Sequence, residues 1–372
     1  MKLKILFIMT TLNGGGAEKV LMDILNNFDF EKYSVELLLT SNEGIYTNKL
    51  PESVKTIFLF RKNSSFIRRF LFSLYRKTGI LIGFKILIYK LLFNNQYDSI
   101  ISFMEGEALL YQSQIINKTK NNIGWVHTDF KENHWTKKYF YKEDEINSYV
   151  KLNQIVFVSK SVGEIFNSIY QISAKQHIIY NLIDIKSIRK LALETVIPKN
   201  KLTVCSVGRL ENEKQTNRLI NVAALLKSNH YDVDLWILGD GKLREQLEQQ
   251  AKDLKVEEMV HFLGFKQPPY CYMNVADIFI STSKAESFSL VVCEAMCLGL
   301  PIVSTKTTGP IELLDNNKFG LLTDHDEASI YNALVQLIDS EEKRKHYLVM
   351  SLERAKMFDV QQTMNEIYSL LN

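Results

Sequence analysis

Short apolar runs alternate with helical patterns along the whole chain, and this alternation constrains the fold more than any other feature. The runs typical of strands are residues 4–9, 35–39, 54–60, 99–103, 123–127, 155–159, 177–180, 202–207, 234–238, 260–263, 278–281, 301–304 and 320–322. Strands separated by helices favour parallel sheets joined by right-handed crossovers. The sequence therefore predicts an α/β protein.

The candidate strands form two sets, one on each side of a polar stretch at residues 184–201. We expect two Rossmann-like, doubly wound domains, residues 1–184 and 185–372, with the last helix able to pack back on the first domain. Ligands of such sheets bind outside the carboxyl ends of the strands, so the expected site is a central cleft that both domains face.

Composition is that of a globular protein, with 46% hydrophobic and 23% charged residues among 372. The net charge of +3 gives no reason to expect a nucleic-acid partner. Four cysteines lie in apolar surroundings without a nearby histidine, which favours reduced, buried thiols. The first apolar run is too short for a signal peptide, so a cytoplasmic location is expected.

Two carboxylates, Glu286 and Glu294, flank the predicted start of a short apolar helix. A helix start attracts anions because its first amides lack intrahelical partners, and Ser287 and Ser289 are natural caps for it. The carboxylates suit sugar and ribose hydroxyls, so the group fits a nucleotide sugar. The alternative is two unrelated glutamates on solvated faces.

A second motif follows the strand at residues 202–207. Gly208 allows a sharp turn there, and Arg209 and Lys214 can converge on a diphosphate, the first as a planar fork and the second as a point charge.

Together these motifs resemble the family 4 glycosyltransferases, retaining enzymes of the GT-B fold with a Gly-Arg-Leu…Lys element and a later Glu-x7-Glu element. The resemblance continues through residues 238–241, 260–265, 308–312 and 320–322, and covers essentially the whole C-terminal half. Departures are Ser287, Ser289 and Gln215, where the family commonly has glycine.

The resemblance implies a role for each residue of the second domain. Glu294 would hold the ribose hydroxyls and Glu286 the donor sugar, while Arg209 and Lys214 would stabilise the leaving diphosphate. Phosphate would lie against the amides of Ser287, Phe288, Ser289 and Leu290. Retention without an obvious nucleophile fits front-face transfer, in which the leaving phosphate oxygen helps to deprotonate the incoming hydroxyl.

Two motifs of the first domain also follow predicted strands. Gly15 and Gly16 open a helix after the first strand, where glycine allows close approach of a ligand and the helix start favours an anion. The resemblance places this loop against donor and acceptor; the alternative is a tight turn without a ligand. His127 matches a family histidine that reaches the donor sugar, although a lone histidine after a strand is more often structural. Asn181 and Asp184 are interpreted as structural.

A metal is not expected. Asp232 and Asp234 form an Asp-x-Asp sequence that leads into an apolar strand, which we interpret as a chance match. Two cations and a helix start can neutralise the diphosphate, so no cofactor beyond the donor itself is predicted.

Residues 61–97 contain no acidic residue. Their basic residues are Arg61, Lys62, Arg68, Arg69, Arg76, Lys77, Lys85 and Lys90. Apolar residues lie between them in a helical pattern, which suits peripheral attachment to an anionic membrane surface. The alternative is that the apolar residues only pack on the sheet.

The expected function is therefore retaining, metal-independent transfer of a sugar, with UDP as the expected carrier, to a saccharide acceptor. The acceptor would be lipid-linked, for example to undecaprenyl diphosphate, in bacterial capsule, exopolysaccharide or O-antigen synthesis. A nucleotide-sugar epimerase of the same fold and a non-catalytic nucleotide-sugar-binding paralogue are the alternatives.

Overall fold

The computed structural model describes residues 2–42, 44–60 and 65–371. Within these residues the strands are β1 (Leu3–Met9), β2 (Tyr33–Leu39), β3 (Val54–Phe58), β4 (Ser99–Ser102), β5 (Asn122–Val126), β6 (Gln154–Phe157), β7 (Lys175–Ile178), β8 (Leu202–Val207), β9 (Val233–Leu238), β10 (Val260–Gly264), β11 (Ile278–Ser281), β12 (Ile302–Thr305) and β13 (Leu321–Thr323).

The α-helices of the same residues are α1 (Gly16–Asn26), α2 (Ser65–Thr78), α3 (Ile82–Leu91), α4 (Glu107–Gln112), α5 (Asp144–Val150), α6 (Lys160–Ile169), α7 (Ile185–Ala192), α8 (Thr216–Ser228), α9 (Arg244–Asp253), α10 (Tyr270–Val275), α11 (Leu290–Cys297), α12 (Thr308–Leu314), α13 (Glu327–Ile338), α14 (Glu341–Ala355) and α15 (Val360–Leu371).

The strands form two parallel sheets. The first has the order β3-β2-β1-β4-β5-β6-β7 and the second the order β10-β9-β8-β11-β12-β13. In each sheet the winding direction reverses beside the first strand, between β1 and β4 and between β8 and β11, which is where doubly wound sheets bind ligands. The predicted α/β class with two Rossmann-like sheets is confirmed.

The chain divides into two compact units. The first runs up to Leu182 and includes the chain from Val360 onward, and the second is Ile183–Asp359. Helix α15 packs on the first unit, where the ring of Tyr368 stacks on that of Tyr33 with centroids 5.2 Å apart. The carbonyl of Leu370 accepts a hydrogen bond of 2.7 Å from the Asn121 side chain.

Each unit has its own core. In the first, the buried strand β1 packs Phe7 edge-on against Phe28 and Phe103. In the second, apolar side chains of β9, α8 and β11, including Ile237, are fully enclosed. Strands covered on both faces are continuous apolar runs, which explains why the sequence pattern located them.

Side-chain caps fix several helix starts. Ser159 Oγ accepts a hydrogen bond of 3.2 Å from Val162 N at α6, and Asp184 Oδ1 accepts one of 2.9 Å from Ser187 N at α7. Asp184 therefore has the structural role expected of it. The four cysteines are buried, as the sequence predicts.

Candidate active site

Two loops of the second unit meet at an ion pair. Lys214 lies after β8 and Glu286 after β11, and the Lys214 ammonium donates to Glu286 Oε1. Ser283 Oγ donates to the same oxygen over 2.9 Å. The strands β8 and β11 are neighbours, so two predicted residues 72 positions apart are brought together at the carboxyl edge of one sheet.

Backbone contacts hold these loops in register. Thr282 Oγ1 lies 3.0 Å from the Lys214 carbonyl and 3.2 Å from the Gln215 carbonyl. The amide of Lys284 donates to the Glu213 carbonyl over 2.7 Å. A cavity of about 10 Å³, enough for about one water molecule, adjoins the Lys214 loop. Lys214 therefore extends from a fixed backbone.

Gln215 has a left-handed backbone, with φ of 49° and ψ of 38°. This is the conformation that favours glycine, which the family commonly has here, and a non-glycine residue adopts it at a cost of roughly 1–2 kcal/mol. The loop around Lys214 thus keeps a glycine-type turn although glycine is absent.

The turn after β8 packs against the turn after β9 at backbone distance. Gly239 has φ of +140°, and a Cβ there would lie 1.8 Å from the Gly208 carbonyl oxygen. Any side chain at Gly239 would push the Gly208–Lys214 segment away from its position.

Arg209 is placed differently from Lys214. It is exposed, and the structure records no ion pair or hydrogen bond of its side chain with another described residue. The two predicted diphosphate-binding cations therefore differ, since one is anchored by a carboxylate and the other extends towards solvent.

The segment before α11 is the second part of the site. Ser289, its N-cap, has φ of 66° and is 5% exposed, and its hydroxyl has no partner among the described residues. The expectation that Ser289 caps the helix with its side chain is wrong, because the left-handed backbone turns the hydroxyl elsewhere. The buried hydroxyl is unsatisfied, a feature that calls for a water or a ligand.

Helix α12 packs against the segment that precedes α11. The amide of Gly309 donates to the Glu286 carbonyl over 2.7 Å, and a Cβ on Gly309 would lie 2.5 Å from the Phe288 Cα. Phe288 is buried, with its ring 6.4 Å from that of Phe358. Ser287 and Leu290 are partly exposed at the same bend.

Glu294 lies on α11 and is only 4% exposed. Its Oε1 accepts a hydrogen bond of 3.1 Å from the Tyr270 hydroxyl of α10. A buried carboxylate needs hydrogen-bond donors, and Tyr270 supplies one of them.

In the first unit, the glycine loop ends in a capping box. Gly15 N donates to Glu18 Oε2 over 2.7 Å, and Thr11 Oγ1 donates to Glu18 Oε1 over 2.7 Å. Gly16 begins α1. The Glu18 carboxylate lies near the helix start, so it adds negative charge where the sequence alone predicts an anion site.

His127 follows β5, and its imidazole is packed among aromatic rings, with Phe103 5.1 Å away between ring centroids. Burial lowers the pKa of His127 to about 3, although a hydrogen bond to the Phe103 backbone opposes the shift. The imidazole is therefore neutral at pH 7. Its Nε2 is buried without a partner in the described part of the chain.

Glu105 lies beside His127 and is 1% exposed. Burial raises the pKa of Glu105 to about 7, and hydrogen bonds from backbone amides limit the rise. The two groups oppose each other in their effect on stability. The pKa of His127 is lower in the folded state than in the unfolded state, so stability is lost as pH falls from 6.5 towards 3. The pKa of Glu105 is higher in the folded state, so stability is gained as pH falls from 7 towards 4.5.

The Asp-x-Asp carboxylates have separate partners. Asp232 pairs with Lys201 at 2.6 Å, and Asp234 lies 3.2 Å from His261 Nε2. Within residues 2–42, 44–60 and 65–371, no group of three or more His, Cys, Asp or Glu residues could hold a metal ion.

Two doubly wound parallel sheets on consecutive units are the arrangement of the GT-B fold. Residues 14–187 match the family model Glycosyltransferase Family 4, and residues 188–348 match the model Glycosyl transferases group 1. The chain belongs to the family 4 glycosyltransferases.

Similar proteins include several glycosyltransferases. One, from Campylobacter jejuni, is N-acetylgalactosamine-N,N'-diacetylbacillosaminyl-diphospho-undecaprenol 4-alpha-N-acetylgalactosaminyltransferase, 37% identical over 57% of this chain and 58% of that protein. An uncharacterised glycosyltransferase of Haemophilus influenzae is 26% identical over 93% of this chain and 92% of that protein. The crystal structure of Anabaena HepE with UDP and glucose has the same fold, with a TM-score of 0.76, 21% identity and 99% coverage of both chains.

Sequence reasoning missed three residues of these sites, Glu105, Tyr270 and Ser283. Glu105 follows β4 as His127 follows β5, so its position after a strand could have drawn attention to it. Tyr270 lies 24 residues before Glu294, and no local pattern links them. The Ser283 hydroxyl reaches the Glu286 carboxylate only because the chain bends between these two residues.

Proposed function

We propose that the chain transfers a sugar, with retention of configuration, from a nucleotide diphosphate donor to a saccharide acceptor. The observation that carries the proposal is the Lys214–Glu286 pair beside the start of α11 at the carboxyl edge of the second sheet. This arrangement offers a cation for a diphosphate, a buried unsatisfied hydroxyl at Ser289 and a buried carboxylate at Glu294.

Each group has a defined task in this proposal. Lys214 and Arg209 stabilise the charge that develops on the departing diphosphate. Glu286 orients Lys214 and contacts the donor sugar, while Glu294 and Tyr270 bind the ribose. Gly208 and residues 287–290 shape the phosphate site, and Ser289 supplies its hydroxyl.

UDP is the proposed carrier, with support from the UDP bound to the fold neighbour HepE. The acceptor is proposed to be a saccharide on a lipid diphosphate, because the Campylobacter relative is named for such a substrate. In the first unit, Gly15, Gly16 and His127 are proposed to contact saccharide hydroxyls, since their loop and imidazole are uncharged.

The direct test is a panel of nucleotide sugars, each incubated with and without saccharide acceptors. Release of UDP that requires an acceptor, together with an α- or β-anomer that matches the donor, supports retaining transfer. Formation of an epimerised free sugar from the donor alone would contradict it.

We expect EDTA to leave turnover largely unchanged. Lys214, Arg209 and the start of α11 already neutralise the diphosphate, so a divalent cation has no necessary role. Initial rates should be measured on metal-free protein with EDTA and then with added Mn²⁺ or Mg²⁺. Loss of turnover with EDTA and recovery with Mn²⁺ would refute metal independence.

We also propose that helices α2 and α3 attach the protein to an anionic membrane surface. Their buried residues, Tyr75, Phe84 and Ile88, pack on the first unit. Other large apolar side chains face outward, namely Phe66, Ile67, Phe70, Ile80, Ile82, Ile86, Leu91 and Phe93, with Phe66 78% and Phe93 76% exposed. We call this outward face the α2–α3 surface.

Basic side chains share the α2–α3 surface. Those exposed are Arg69, Arg76, Lys77, Lys85 and Lys90. Arg68 does not belong with them, because it forms two hydrogen bonds, of 2.8 and 3.1 Å, with the buried carboxylate of Glu107. Arg61 and Lys62 lie outside the described residues. No helix of the described chain is long and apolar enough to cross a bilayer.

Replacing Arg69, Arg76 and Lys77 together by glutamine should weaken binding to phosphatidylglycerol vesicles about 100-fold at low salt, since each charge contributes about 1 kcal/mol near an anionic leaflet. Co-sedimentation at low and high salt measures this. The matched control replaces Lys252, Lys255 and Lys343, three exposed lysines of the second unit, and should bind as the unaltered protein does. Equal loss in both variants, or no binding by the unaltered protein at low salt, would contradict the proposal.

A further inference from the structure

Glu105 and His127 lie side by side at the carboxyl edge of the first sheet. Glu105 follows β4 and His127 follows β5, and these strands are direct neighbours. The edge is one strand from the β1–β4 switch point, where doubly wound sheets bind ligands. A buried carboxylate at such a position is costly unless it is hydrogen-bonded.

The carboxylate of Glu105 holds the backbone that carries His127. Glu105 Oε1 accepts hydrogen bonds of 2.6 Å from the His127 amide and 2.5 Å from the Thr128 amide. These are the first two amides after β5 ends at Val126. Thr128 is fixed a second time, because its Oγ1 accepts a hydrogen bond of 2.9 Å from the Trp135 indole.

The imidazole of His127 has an unpartnered nitrogen. Its Nε2 is buried and has no hydrogen-bond partner among the described residues. In the neutral tautomer protonated on Nδ1, Nε2 is an acceptor, and a sugar hydroxyl is a donor of the required kind.

We propose that Glu105 is a positioning residue for glycosyl transfer, whose carboxylate fixes the His127 and Thr128 amides so that His127 Nε2 meets a hydroxyl of the saccharide. This inference rests on the proposed function. Glu105 does not touch the substrate in this account, because it is 1% exposed and its Oε1 is held by the two amides, whereas His127 is partly exposed. Glu105 acts by orienting His127, and small changes in the orientation of a group that contacts substrate lower kcat strongly.

A double-mutant cycle separates this role from simple support of the fold. Glu105→Ala should lower kcat roughly 10- to 100-fold and leave UDP affinity unchanged, whereas Glu105→Gln, which keeps an oxygen acceptor, should recover most of the loss. In a His127→Ala background, Glu105→Ala should lower kcat by less than about twofold more, because the residue it orients is gone.

Glu145→Ala is the matched control. Glu145 is also a buried carboxylate of the first unit, bound by the Thr136 hydroxyl at 2.5 Å and by His134 at 3.1 Å. Any loss of kcat from this substitution should persist in full in the His127→Ala background. Thermal unfolding of every variant checks the fold, and if Glu105→Ala does not fold, the cycle is run with Glu105→Asp, whose shorter side chain draws the carboxylate back from the two amides.

The outcomes are distinguishable. If His127→Ala lowers kcat and Glu105→Ala does not, or if the effects of these two substitutions multiply in the double variant, the positioning role is refuted and the proposed transfer reaction stands. If His127→Ala leaves kcat unchanged, both the role of His127 in the proposed function and this inference are refuted.

Discussion

Lys214→Ala should lower turnover by roughly 100-fold or more, the scale for loss of one donor that stabilises developing charge. The effect should fall on kcat more than on donor binding, because the diphosphate gains charge only as the sugar bond breaks. Arg209→Ala should act in the same direction. The Arg209 side chain is exposed without a recorded partner in the described chain, so binding the diphosphate costs it conformational entropy. Lys214 is already held by Glu286 and loses less entropy on binding.

Lys284→Ala is the control for this prediction. Lys284 is an exposed cation of the loop that carries Glu286, and its recorded contact is made by the backbone amide, which alanine retains. Turnover of this variant should match that of the unaltered protein. Near-normal turnover of folded Lys214→Ala and Arg209→Ala would exclude both residues from the leaving-group role.

The strands were predictable because parallel sheets are covered on both faces. Their apolar runs are continuous, so residues 202–207 and 278–281 were located correctly as β8 and β11, and the remaining strands differ from prediction by one or two residues at one or both ends. The pairing of Lys214 with Glu286 was not predictable in the same way. It depends on β8 lying between β9 and β11, an order that alternation alone does not specify.

Local conformation was harder to predict where residue type and backbone disagree. Gln215 and Ser289 both adopt left-handed conformations, with φ of 49° and 66°. Nothing in the residue types demands this, since the surrounding loops impose it. The ion pair of Arg68 was also not predictable from the local sequence. Residues 61–97 contain no acidic partner for Arg68, and its partner Glu107 lies outside that stretch.

Glu105 was missed for a related reason. A single carboxylate after a strand is usually solvated, and only the three-dimensional structure shows that this one is enclosed and accepts two amides of the next strand's loop. Burial is a property of the assembled sheet, so the raised pKa of Glu105 could not be anticipated from sequence.

Glu294→Ala should weaken binding of UDP roughly 100-fold, whereas Glu286→Ala should leave UDP affinity equal or slightly tighter and lower kcat. A hydrogen bond to a charged group contributes about 1.5–3 kcal/mol, and the buried Glu294 would lose its bonds to ribose. Glu286 instead neutralises Lys214, so its removal frees a cation for the diphosphate while the orientation of that cation is lost.

Calorimetry with UDP and initial rates with the donor separate these effects. Tyr270→Phe tests the same assignment more gently, because it removes only the hydroxyl that donates to Glu294 over 3.1 Å and should weaken UDP binding less than Glu294→Ala. Glu286→Gln keeps an acceptor for Ser283 and removes the charge, so a fall in kcat at unchanged UDP affinity would assign the effect to the ion pair with Lys214. Equal loss of UDP affinity in the Glu286 and Glu294 alanine variants would refute the division of labour between the two carboxylates.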